Sequence, residues 1–193
     1  MDERDLPAIE RAASDAEVLK WFDLHTRSPA DYLAAKREAW AEGAGASFAI
    51  CDATRPDTCL GHVFIERDDD DRGSVGYWLL KDSRGKERAT RAVRLMASWA
   101  LPAMRLDRLQ LHTDPENVAS QRVAEKAGFT REGVLRAYNG RSDGASHRPE
   151  APDRSIASST RAAASASRMP GSRWTPSTTE SRKSAASITL RSS

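Results

Sequence analysis

A chain of 193 residues has room for one ordinary domain with a single hydrophobic core and is too short for two of full size. Leu, Ile, Val and Phe together number 30, of which 27 lie in residues 1–139 and 3 in residues 140–193, so only the first stretch can build that core. The formal net charge of +2 divides the same way: 9 basic and 4 acidic residues put about +5 on residues 140–193, leaving about −3 on the rest.

No run of some 18 apolar residues occurs, and Met1-Asp2-Glu3-Arg4-Asp5 is charged where a secretory leader needs an apolar stretch. On these features neither a spanning helix nor a leader is expected, and the expectation is a soluble cytoplasmic protein without a membrane partner. Cys51 and Cys59 are too few for a disulfide framework and lack metal-ligand spacing, so reduced structural thiols and no metal are expected.

Residues 5–14 and 29–42 read as helices, the second opening after Ser28-Pro29 with Tyr32, Leu33, Lys36 and Trp40 at helical spacing. Three short apolar runs follow, at Phe48–Cys51, Leu60–Ile65 and Val75–Leu80, separated by turn-prone segments. They read as consecutive antiparallel strands. The run Asp68–Asp71 between the last two lacks the alternating oxygen ligands of a calcium loop and reads as a solvated hairpin tip.

After Asp82-Ser83-Arg84-Gly85-Lys86, a helix presents Ala89, Ala92, Val93, Met96 and Ala100 on one face and must stop near Pro102. A strand over Leu106–Thr113 leads through Asp114-Pro115-Glu116-Asn117 into a helix with Val118, Val123, Ala124 and Ala127 on its buried side. Gly128 fits the left-handed residue that ends such a helix, with Phe129 supplying the apolar contact. Thr130–Tyr138 begins a further strand. From residue 140 the chain is rich in Ser, Ala and Arg with no sustained period. Burial there cannot offset an ordering cost of about 1 to 2 kcal/mol per residue, and disorder is expected. Two regions result: a folded domain over 1–139 and a low-complexity tail over 140–193.

A strand that enters a Gly-containing turn and then a helix gathers free amides and the positive end of a helix dipole at one point, which favours a phosphate. Arg84, Lys86 and Arg88 place three cations around that turn. An exposed basic turn at a strand–helix junction has the same composition, so both readings stand on this feature alone.

Two strings separate them. Gly76-Tyr77-Trp78-Leu79-Leu80 followed by Ser83-Arg84-Gly85-Lys86-Glu87-Arg88-Ala89-Thr90 resembles the acetyl-CoA motif of the GCN5-related N-acetyltransferases (GNAT). Leu109–His112, then Asn117–Phe129 and Glu132–Arg136, resembles the later strand and helix of the family's ribosomal-protein N-acetyltransferase (Rim-type) branch. The resemblance covers about residues 5–139. It implies an α/β (α+β) fold, with a mixed, mostly antiparallel, splayed sheet flanked by helices. The family's first strand and at least one of its last strands are not recognisable in the sequence, so the fold is expected to be incomplete at both ends.

The resemblance further implies an acetyl-CoA-dependent N-acetyltransferase whose acceptor is a primary amine, a protein N-terminal amine such as that of a ribosomal protein in particular. Its cofactor-binding residues would be Trp78, Leu79 and Leu80, the turn residues Arg84, Gly85, Lys86, Glu87, Arg88, Ala89 and Thr90, and Asn117. The amine would attack the thioester directly. Where many relatives place a Tyr as donor to the leaving thiolate this chain has Ala124, and Ser120 is the substitute catalytic candidate; Glu132 is the candidate base. Each of these two also fits an ordinary solvated side chain. His112, a lone strand histidine, reads as packing.

Glu87 stands where the family turn has a glycine, putting a carboxylate beside an expected pyrophosphate and a Cβ where a positive φ is penalised. Weakened but not abolished cofactor binding is the expectation. Two alternatives remain open from sequence: a catalytically impaired acyl-CoA-binding module, and a ribosome or nucleic-acid tether through the basic tail. Trp174 is that tail's one stacking ring, so sequence-selective single-strand binding is not expected.

Overall fold

The computed structural model describes residues 1–22, 24, 27–68, 71–136 and 154–160. Its helices start where side chains can satisfy free amides. Asp2 caps a short 3-10 turn over Glu3–Asp5, which runs into α1 (Leu6–Ala12). The Asp15 carboxylate accepts from the amides of Glu17 and Val18 and starts α2 (Ala16–Trp21), a helix too short to show a period in the sequence. Ser28 Oγ accepts from the Asp31 amide at 3.1 Å and Pro29 occupies the first turn of α3 (Pro29–Ala41).

The strands are β1 (Gly45–Asp52), β2 (Arg55–Arg67) and β3 (Arg72–Leu79), followed by α4 (Arg88–Ala103), β4 (Arg108–Thr113), α5 (Val118–Lys126), β5 (Thr130–Arg136) and β6 (Arg154–Thr160). Pro102 lies in the last turn of α4, and the helix ends one residue beyond it. At the end of α5, Gly128 has φ +95°, its amide donates to the Glu125 carbonyl, and the Phe129 amide donates to Ala124. These are the two bonds of a Schellman ending, and Phe129 is buried beside it.

One six-stranded sheet results, in the order β1-β2-β3-β4-β6-β5. All pairs are antiparallel except β3 with β4. Alternation along the strands divides the core between the two faces. Val63, Ile65, Val75 and Leu79 pack against Val93, Met96 and Ala100 of α4 and Ala124 of α5. On the other face Trp78 and Leu80 meet Ile9, Ala12, Val18, Tyr32 and Leu33 from α1 to α3. Cys51 and Cys59 are free thiols and register neighbours across β1 and β2.

The mixed, splayed architecture expected from the sequence is therefore present. Within the tail expected from sequence, residues 154–160 are described as β6 between β4 and β5, with Leu111 opposite Ser158 and Val134 opposite Ile156. The remainder of the expected tail, including Trp174, and Asp69 and Asp70 of the acidic hairpin, lie outside the described residues. Among the described residues no strand precedes α1, and β1 has one neighbour in the sheet.

Candidate active site

The sheet opens between β3 and β4. Their parallel register runs from Arg72 opposite Arg108 to Val75 opposite Leu111 and stops there, while β3 continues to Leu79. Along its other edge β3 stays paired with β2 through Leu79 opposite Gly61, and the Leu80 amide donates to the Leu60 carbonyl at 2.9 Å. Because successive residues of a strand turn their backbone groups to opposite edges, Leu80 and Trp78 face β2, whereas Tyr77 and Leu79 face the gap. The Leu79 carbonyl accepts from Arg84 Nε at 3.0 Å. Of the expected Trp78–Leu80 segment, only Leu79 presents its backbone to the gap, and Tyr77, absent from that expectation, does so too.

At the end of β3 the chain makes a 3-10 turn over Lys81–Ser83 and then adopts positive φ twice, +71° at Gly85 and +54° at Glu87. Glu87 is the N-cap of α4 and makes no side-chain cap. The amides of Gly85 to Thr90 donate to no backbone carbonyl among the described residues, and the dipole of a 16-residue helix adds its positive end there. A cavity of about 290 Å³ opens against this turn, with Leu79, Gly85 and Ala89 on one wall and Ala119, Arg122 and Lys126 of α5 on the other.

The cations expected at the turn are engaged elsewhere. Arg84 Nη2 lies 2.5 Å from Asp15 Oδ2, and this bond holds the Asp15 carboxyl below its usual range against the opposing effect of burial. Arg88 Nη2 bonds Asp52 Oδ2 at 2.8 Å and holds that carboxyl well below the usual range. Lys86 Nζ donates to the Asp82 carbonyl. The cavity's positive charge comes instead from Arg122 and Lys126, one helical turn apart on α5. The sequence signal was their i, i+4 spacing on one exposed face of α5. Glu87 Oε1 meets Lys126 Nζ at 2.5 Å, and bonds from Lys126 and Thr90 lower the Glu87 carboxyl from its ordinary value.

Asn117 is the N-cap of α5, its Oδ1 accepting from the Ser120 amide at 3.0 Å. Ser120 Oγ in turn accepts from the Tyr77 hydroxyl at 3.1 Å, linking α5 to β3 just beyond the last β3–β4 pair. Burial pushes the Tyr77 phenol up to about 12. Ala124, at the position where the resemblance led to the expectation of a tyrosine donor, is buried in the core. Glu132 bonds Arg108 Nη2 at 2.8 Å, and Arg108 sits at the closed end of the β3–β4 register. His112 is pushed down to about 3 by burial and is neutral near pH 7. A second histidine escaped the sequence reading: fully buried His62, with Nδ1 2.7 Å from Tyr32 Oη and Nε2 2.9 Å from Ser47 Oγ.

The profile of the Acetyltransferase (GNAT) domain matches residues 1–130, well over half of the chain. The chain belongs to the GNAT acetyltransferase family. Over 62 residues this GNAT protein is 44% identical to the Probable N-acetyltransferase YjcK of Bacillus subtilis; the match covers 32% of this chain and 34% of YjcK, so the chain spans about a third of that relative. Mycobacterium smegmatis RimJ, solved in complex with CoA-disulfide, superimposes with a TM-score of 0.67 and 22% identity, covering 84% of this chain and 79% of RimJ. The ribosomal-protein-S5-alanine acetyltransferase of Vibrio fischeri gives a TM-score of 0.66 at 22% identity, covering 83% of this chain and 90% of that one. At these identities the two structures establish the GNAT fold. Among the described residues no helix is long and apolar enough to cross a membrane.

Proposed function

We propose that this GNAT protein transfers the acetyl group of acetyl-CoA to a primary amine, with a protein N-terminal amine as the acceptor class. The observation that carries this is the adjacency of two features: a run of free amides at Gly85–Thr90 and a gap in the sheet lined by the outward backbone of Tyr77 and Leu79. A diphosphate at the first places a pantetheine arm along the second. Arg122 supplies countercharge, Lys126 being held by Glu87, and the Thr90 hydroxyl and the Asn117 amide are the side-chain contacts. The resemblance to Rim-type proteins, two of which share the fold, supports this choice of acceptor class.

In the reaction the amine nitrogen attacks the thioester carbon, the C–S bond breaks, and the departing thiolate needs a hydrogen-bond donor. Ser120, on the first turn of α5, is the candidate for that role. Glu132, the base candidate from sequence, is held by Arg108 at the closed end of the β3–β4 register, so the amine's proton is given up to solvent. The test is calorimetric titration with CoA together with an acetyl-transfer assay on peptides bearing free N-termini and on polyamines. Saturable CoA binding with transfer to peptides supports the assignment. Binding without turnover of any amine favours an acyl-CoA-binding module, the function to which Glu87 at the mouth of the cavity points.

A further inference from the structure

We infer that Tyr77 is a positioning residue for the acyl transfer, acting through Ser120; the inference rests on the acetyltransferase function proposed above. Tyr77 lies two residues beyond Val75, the last residue of β3 paired with β4, and its side chain shares a face of the sheet with Val75 and Leu79 beneath α4 and α5. Its phenol donates to Ser120 Oγ at 3.1 Å. That one bond joins the strand on one side of the gap to the helix that follows the strand on the other side.

A serine hydroxyl has one hydrogen and two lone pairs, and an unconstrained one rotates to suit its surroundings. Here one lone pair is filled by Tyr77, and the Ser120 amide is already held by Asn117. Ser120 stands in the first turn of α5, where the hydroxyl lacks the preceding helical carbonyl to which an interior serine donates. Its hydrogen is therefore left to point at an acceptor in the gap. A phenol donating to the same oxygen also polarises the hydroxyl, strengthening the bond it gives. Burial raises the phenol above its ordinary value, which keeps it protonated and donating through the neutral range.

When the C–S bond breaks, its electron pair goes to sulfur, and the Ser120 hydroxyl donates a hydrogen bond to the thiolate while Tyr77 donates to Ser120. The proton that finally makes the free thiol comes from the acceptor ammonium by way of solvent. Neither hydroxyl changes its net protonation. The role differs from that of a helix tyrosine giving its own proton, because the phenol here comes from the strand and reaches sulfur only through Ser120.

The experiment compares Tyr77→Phe, Ser120→Ala and the double variant with two acyl donors: acetyl-CoA and its selenoester analogue, whose selenolate leaves without help. Melting curves on each variant establish that it is folded. With acetyl-CoA, Tyr77→Phe is expected to lower kcat about tenfold with little change in KM, the loss of one good hydrogen bond in the transition state. With the selenoester the loss should shrink to under about twofold, and in the Ser120→Ala background Tyr77→Phe should add nothing. Equal losses with both donors, or losses that multiply in the double variant, would make Tyr77 merely structural and overturn the inference. Failure of the parent protein to acetylate any amine overturns the acetyltransferase assignment and this inference together, whereas parental activity with an unaffected Tyr77→Phe overturns the inference alone.

Discussion

Glu87 and Lys126 are joined across the mouth of the cavity, carboxylate to ammonium at 2.5 Å. The bond ties the turn before α4 to the last turn of α5. The Glu87 carboxylate also takes a bond from Thr90 of its own turn, so the residue that departs from the family pattern occupies both a cation of the cavity and a donor of the anion site.

Glu87→Gly therefore acts in two ways. It removes a side chain from a left-handed position, φ +54°, that glycine adopts without strain, and it frees Lys126. The ion pair itself is more than half exposed on both partners and contributes little. Titration calorimetry should show CoA binding at least severalfold tighter in the variant, with no loss of melting temperature. Unchanged or weaker binding contradicts the role given to Lys126.

Arg122→Ala and Arg84→Ala separate binding from support. Arg122 lines the cavity and has no ion pair among the described residues, whereas Arg84 is tied to Asp15 and to the Leu79 carbonyl. The first variant should weaken CoA binding severalfold, with a shallower salt dependence and a normal melting temperature. The second should lower the melting temperature, because a partly buried Asp15 loses its partner. Salt-titrated binding and thermal denaturation on both variants distinguish the two.

The buried histidines set the response to acid. His62 and His112 both have folded values below the ordinary 6.5, through burial first in each case, and His112 falls to about 3. The unfolded chain therefore binds more protons than the folded one as pH drops below about 6.5. Stability present above that pH is lost on acidification, at up to about 1.4 kcal/mol per pH unit for each histidine. Urea denaturation between pH 7 and pH 5 should show this fall, and His62→Gln should make it shallower. A flat profile rules out neutral, buried imidazoles.

Gly61 keeps β2 against the strand that borders the gap. A Cβ there would stand 2.4 Å from the Trp78 carbonyl oxygen and 2.6 Å from a Leu79 methyl. Gly61→Ala should cost about 1 to 3 kcal/mol in urea denaturation, typical of overpacking, and should weaken CoA binding by shifting Leu79.

Much of this architecture is legible in residue order because local rules govern it. Ser28-Pro29 opens α3, the Ala89–Ala100 spacing defines α4, and Gly128-Phe129 closes α5. The turn over Arg84–Thr90 is legible for the same reason. What escaped depends on long-range placement. The exits of Arg84 and Arg88 from the anion site depend on Asp15 and Asp52, at sequence separations of 69 and 36. Tyr77 and Ser120 meet at a separation of 43, and no local pattern marks either as the other's partner. The pairing of β6 with β4 and β5 is likewise non-local, and no period in its residues announces it.

The most direct test of the account is the response of backbone amides to CoA in an isotope-labelled sample followed by NMR. Bound diphosphate and pantetheine should move the amide resonances of Gly85 to Thr90 and those of Tyr77 and Leu79 together, with a single dissociation constant. Shifts confined to other parts of the chain, or none at saturating CoA, would contradict an anion grip at the start of α4 and an acyl arm in the gap between β3 and β4.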